Sequence, residues 1–150
     1  MQWSVTIGNI AGTAIRIHVT FVLFLILIAI SDYNAGGFEA ARASVVFIVL
    51  VFACVVAHEF GHILVARAFG VKTPEVTLLP IGGVASMERI PENPKEELMI
   101  AIAGPLVNVV IAALLLLLGG LAIEDLYANS VAQASLTQRL AFTNVALVIF

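Results

Sequence analysis

His58, Glu59 and His62 form an H-E-x-x-H pattern inside the run VVAHEFGHILVA (55–66), which is otherwise apolar. On a helix, side chains four residues apart lie one turn apart on the same face. Both imidazoles can then reach a single zinc ion at ~2.0–2.1 Å. Glu59 lies ~100° round the helix from His58, at the edge of that face. There it is placed to handle the proton of a metal-activated water instead of taking a coordination position. Together these groups are the apparatus for peptide hydrolysis without a covalent intermediate. The bland alternative is a solvated helix face, which the same pattern often marks in soluble proteins.

The surroundings weigh against that alternative. The 150 residues are 61% hydrophobic and only 11% charged, with a mean hydropathy of +1.10. Soluble domains average about 45–50% apolar and about 25% charged, so the chain reads as one membrane-embedded domain over 1–150. A charge at the centre of a membrane helix costs ~2.5–3.5 kcal/mol, and an ionisable cluster there marks a functional site by default. The net charge of −3 and pI near 5.5 leave no basic footprint, so a nucleic-acid partner is not expected. A single cysteine, Cys54, rules out an intrachain disulfide framework.

Four apolar segments position the cluster: Ile15 to Ile30, which Ile10 to Ile17 can extend; Ala43 to Phe69; Leu98 to Ile123; and one starting near Leu140 and still apolar at Phe150. The fold class expected is an α-helical polytopic membrane protein with about four transmembrane segments. The last is too short to span as it stands, so the reading expects a core that is incomplete at its C-terminus. The opening run lacks a basic flank and SDYNAGG after it is no cleavage site, so a removed signal is not expected. Arg16, Arg67, Lys72, Arg89 and Lys95 fall on one side of these segments, and Arg42 and Arg139 on the other. The positive-inside rule then puts the N-terminus and the second loop in the cytoplasm. Trp3, Val5 and Ile7 alternate with polar residues, as a strand does. Val76 and Leu78, ahead of the turn signal Gly82-Gly83, do so more loosely. A small membrane-surface sheet or hairpin is expected, with an irregular loop as the alternative. Pro74 and Pro80 point to an edge strand.

A catalytic zinc normally takes three protein ligands and a water, and a third is missing here. Asp32, Glu39, Glu75, Glu88, Glu92, Glu96, Glu97, Glu124 and Asp125 all fall in loops or at segment ends. Cys54 is one turn before His58, but ~12 Å of helix rise separates it from His62, so it reads as a small buried residue. His18 reads as an interfacial or hydrogen-bonded histidine. The simplest account puts the third ligand beyond Phe150.

VVAHEFGHILVARAFGV, then LLPIGGVASMERIP, then AIAGPLVN, in this order, resemble the site-2 protease family of intramembrane zinc metalloproteases, in its prokaryotic branch. The resemblance implies one zinc per active site, His58 and His62 as ligands, and Glu59 as the catalytic acid and base. It implies a third ligand, an aspartate in an N-x-x-P-x-x-P-x-D-G-type motif, which this sequence stops short of. It also implies that the Leu79–Met87 stretch, with Gly82 and Gly83, holds unwound substrate as an added strand. Asn108, in GPLVN, matches a family position near the active site, where it positions substrate or stabilises an oxyanion. The plain alternative for Asn108 is a hydrogen bond between helices. Gly61 either admits a neighbouring helix backbone or simply packs, and Gly104-Pro105 reads as a helix-start or kink device.

The function expected is zinc-dependent endopeptidase action on a transmembrane or near-membrane segment of another protein. The setting is a multi-pass protein of the cell membrane, with the lipid bilayer and a membrane-protein substrate as partners. The sequence specifies neither the substrate nor the oligomeric state. A metal transporter is a rival, disfavoured because only Asn108 and Asn144 join the cluster as intramembrane polar groups. An inactive relative that only captures membrane helices is another, disfavoured by the presence of Glu59.

Overall fold

The computed structural model describes residues 3–86, 88, 93–119 and 134–149. Strand β1 (Ser4–Ile10) turns antiparallel into β2 (Thr13–His18), which runs directly into helix α1 (Val19–Ala68). Strands β3 (Glu75–Leu79) and β4 (Gly82–Ser86) follow, then α2 (Pro94–Gly119) and α3 (Leu136–Leu147). The sheet order is β1-β2-β3-β4, with β2 and β3 parallel and the outer pairs antiparallel.

The first apolar segment is shorter than its composition implies, because Thr13–His18 is a strand. Its apolar residues Ile15 and Ile17 alternate with Arg16 and His18, and backbone pairing on both edges outweighs the apolar character of the run. His18 then caps α1, its Nδ1 accepting from the Thr20 amide at 3.3 Å. The polar stretch after Ile30 forms no loop. Helix continues up to a single break at Gly37 (φ 75°, ψ −165°), a backbone region glycine enters without strain. At ~1.5 Å per residue the parts before and after Gly37 are about 27 and 46 Å long.

The two prolines do not put their strand at an edge. Pro74 and Pro80 flank β3, which pairs on both sides, so neither removes a donor from within the ladder. Gly104-Pro105 starts no helix either; α2 begins ten residues earlier, where Pro94 takes the first position and Asn93 accepts from the Lys95 amide at 3.0 Å. The third segment's end at Ile123 and part of the SMERIP stretch lie outside the described residues. Helix α3 opens with a reciprocal Ser135–Gln138 capping box.

One buried cluster joins the sheet to the last turns of α1. Ile15, Val76 and Leu78 meet Ile63, with Phe52, Val56 and Phe60 around them. A second joins Ala66 and Val71 to Ile100 of α2. Outside these, the helices are apolar on the surface: Leu23, Ile26, Leu27 and Val49 of α1 and Leu114, Leu117 and Leu118 of α2 are exposed. Among the described residues, α1 and α2 are the helices long and apolar enough to cross a bilayer. Ile63 is fully buried between helix and sheet. Ile63→Ala should therefore destabilise the fold by about 2–5 kcal/mol, read as an earlier midpoint in detergent unfolding followed by circular dichroism.

Candidate active site

The three motif residues lie on the part of α1 that packs against both the sheet and α2. The Nε2 atoms of His58 and His62 face each other at 3.0 Å. Both rings are held from behind by α2. His62 Nδ1 lies 2.7 Å from the Ile100 carbonyl oxygen. A carbonyl only accepts, so Nδ1 of His62 carries the proton and Nε2 presents its lone pair. His58 Nδ1 lies 3.0 Å from the Asn108 side-chain amide. With Nδ2 turned to the ring, Asn108 Oδ1 is buried without a hydrogen-bond partner. A half-turn of the amide lets Oδ1 accept from His58 Nδ1–H, which removes the orphan and frees the His58 Nε2 lone pair.

Two lone pairs at 3.0 Å repel unless a cation or a proton lies between them. The donor set therefore fits a metal on the Nε2 side, and zinc accepts neutral imidazole readily. Each ligand's second nitrogen is engaged, the usual support for a metal-bound histidine. Two close approaches make room for the rings. A Cβ on Gly104 would lie 2.6 Å from His58 Nε2 and closer still to His62 Nε2. A Cβ on Gly61 would lie 2.6 Å from the Ala103 carbonyl oxygen, so a side chain there would force α1 off α2.

Glu59 points the other way, toward the sheet. A Cβ on Gly83 would lie 2.9 Å from Glu59 Cγ. Among the described residues Glu59 forms no ion pair. It borders a cavity of about 430 Å³ with His58 and His62. Val51, Phe52 and Val55 line that cavity from α1, Pro80 and Ile81 from the β3–β4 turn, Gly82 and Gly83 from the start of β4, and Leu147 from α3. Gly82 has φ 138°, a backbone region suited to glycine.

Asn108 is fully buried against His58 and is not among the residues lining the cavity. His18 is tied up at the start of α1, 2.8 Å from the Thr20 hydroxyl. Cys54 is half-buried and meets the Asn144 amide at 3.4 Å. Among the described residues no third histidine, cysteine or carboxylate joins His58 and His62. Sequence reasoning missed the Ile100 carbonyl, which carries no residue-type signal. It read Gly104 only as part of a helix-start or kink device, and it missed Val51 and Val55, which recur at helical spacing on the face of the motif.

A helix-borne H-E-x-x-H, backed by a second helix and facing a sheet edge, defines a membrane-associated zinc metalloprotease class. The chain belongs to Peptidase family M50, whose profile matches residues 46–149. It is 45% identical over 118 residues to Zinc metalloprotease MJ0392 of Methanocaldococcus jannaschii, covering 78% of this chain and 33% of that protein. It is 31% identical over 121 residues to Putative zinc metalloprotease Rip3 of Mycobacterium tuberculosis, covering 75% of this chain and 31% of that one. The solved structure of the Site-2 Protease from M. jannaschii matches with a TM-score of 0.72 at 34% identity, over 99% of this chain and 63% of that chain. The chain thus spans about a third of the length of the curated relatives it matches.

Gly104→Ala places a methyl group against both imidazole rings. The variant should insert into membranes with unchanged helix content and lose bound zinc, measured by plasma mass spectrometry of the purified protein.

Proposed function

We propose that the chain forms the core of a zinc-dependent intramembrane endopeptidase that cuts a transmembrane or near-membrane segment of another protein. The observation that carries this reading is the single rim shared by His58, His62, Glu59 and the glycines of β4. The two parts of α1 on either side of Gly37, then α2, then a segment that includes α3, make four membrane crossings on this reading. The N-terminus and the loop holding β3 and β4 lie on the cytoplasmic side, in keeping with the lysines and arginines there. The third ligand is the aspartate expected beyond Phe150.

A zinc ion held by the Nε2 atoms of His58 and His62 would supply Lewis-acid activation of water near neutral pH. Glu59, on the rim of the same cavity, would take a proton from the attacking water and return it to the amine nitrogen that leaves. The Ile100 carbonyl and the Asn108 amide hold the two rings in the tautomer that leaves Nε2 unprotonated. Asn108 is thus a positioning residue. Strand β4 pairs on one side with β3, and its other side is open among the described residues. A helical substrate hides its carbonyls in its own hydrogen bonds and has to be unwound before water can attack. Added beside β4 as a strand, it regains those bonds. Gly83, without a side chain, lets Glu59 come close to that strand.

Glu59→Gln should keep its zinc and lower cleavage of a co-expressed membrane substrate by at least ~10²-fold. Undiminished cleavage by this zinc-loaded variant would exclude the mechanism. Asn108→Leu should weaken zinc binding by ~10–100-fold in chelator competition, with Asn108→Asp, which keeps an acceptor, much closer to the parent.

A further inference from the structure

Strand β1 has two unlike faces, and the register shows how they arise. Val5 pairs with Ile17, and Ile17 packs in the cluster beneath α1, so Val5 lies on the sheet face that α1 covers. Trp3 immediately precedes the strand and continues its pairing, its carbonyl accepting from the Val19 amide, so the strand's alternation carried one residue back puts it on that face. Thr6 pairs with Arg16, and the next pair is Gly8 with Ile15, so Ile7 is the extra residue of a bulge. The bulge reverses the alternation after it. Ile10, paired with Thr13, therefore returns to the face of Trp3 and Val5, while Asn9 joins Ser4 and Thr6 on the opposite one. The inner face of β1 is apolar and the outer face is polar.

Helix α1 covers the inner face over β2 and β3 but not over β1. Trp3 is 70% exposed, Val5 71% and Ile10 52%. This uncovered strip is continuous with the apolar exterior of α1. The Val19 amide donates to the Trp3 carbonyl at 2.9 Å, and the helix surface just beyond carries exposed Val19, Val22 and Leu23. Burying the strip under water-soluble protein would interrupt that continuous surface. A bilayer would cover both with one medium. A tryptophan at the end of such a strip suits the headgroup boundary, where its ring is buried and its N–H stays hydrated.

We propose that the inner face of β1 is a lipid-binding surface, seated in the headgroup–acyl boundary of the leaflet that α1 enters, with Trp3 as its anchor. The sheet would then lie flat on the membrane, polar side to water, independently of any hydrolytic activity.

Trp3 is the single tryptophan of the 150 residues, so its emission reads this face directly. The protein is reconstituted in phosphatidylcholine–phosphatidylglycerol vesicles whose acyl chains are brominated either near the headgroup or near the chain end. The Trp3→Phe protein serves as the blank. The expected result is loss of about half of the Trp3 emission with headgroup-proximal bromine, a smaller loss with bromine at the chain end, and weak quenching by aqueous acrylamide. Thr6→Trp in the Trp3→Phe background should show the reverse: strong acrylamide quenching and little effect of bromine. Trp3 quenched by acrylamide as freely as a dissolved tryptophan would overturn the proposal, since the strip would then face water. Protection from both quenchers would also overturn it, since a second copy or another part of the polypeptide would then cover the strip.

Discussion

Two imidazole nitrogens 3.0 Å apart inside a pair of apolar helices are not a favourable arrangement by themselves. Where both present lone pairs, these repel unless a proton or a cation lies between them. The arrangement is sustained by what stands behind the rings: an obligate acceptor at the Ile100 carbonyl and a two-way amide at Asn108. These set the ring orientations before any cation arrives. Much of the rest of the architecture serves this contact. Gly61 and Gly104 lie where α1 and α2 cross, and their missing side chains let the helices approach closely enough for α2 to reach the imidazoles.

The sheet serves the other side of the motif. Glu59 is about a quarter-turn from His58, so the helix that aims both imidazoles at α2 aims the carboxylate at β4. The cluster of Ile15, Ile63, Val76 and Leu78 fixes the distance between α1 and the sheet. The half-buried pair Arg16–Glu75, at 2.8 Å, ties β2 to β3 on the opposite sheet face. An edge strand with glycines at its start thus meets a helix with a carboxylate at its face, and the cavity is the gap between them. Among the described residues lining this gap there is no lysine or arginine to draw the carboxylate into an ion pair.

Helical spacing alone makes the His58–Glu59–His62 cluster legible, because i and i+4 share a face in any helix. The alternation in Trp3, Val5 and Ile7 similarly reveals β1. The next strand was hidden because Ile15 and Ile17 merge into the apolar run that follows, and a hydropathy profile does not distinguish a strand leading into a membrane helix from more of the helix. Pro74 and Pro80 suggested an edge strand, but they lie just outside β3, and a proline beside a strand costs no ladder bond and so carries no information on position in the sheet. The bulge at Ile7 was invisible too; it exists only relative to a partner strand.

The order of residues along the chain therefore determined that one long apolar helix carries two imidazoles on a single face, with a carboxylate beside them. Both follow from local helix geometry. Only the tertiary structure decided which groups stand behind the rings, that Asn108 faces His58 instead of the cavity, and that Gly83 of β4 meets Glu59. Those contacts join residues 24 to 50 positions apart, and no local spacing rule specifies where two helices cross or which edge of a sheet a helix meets.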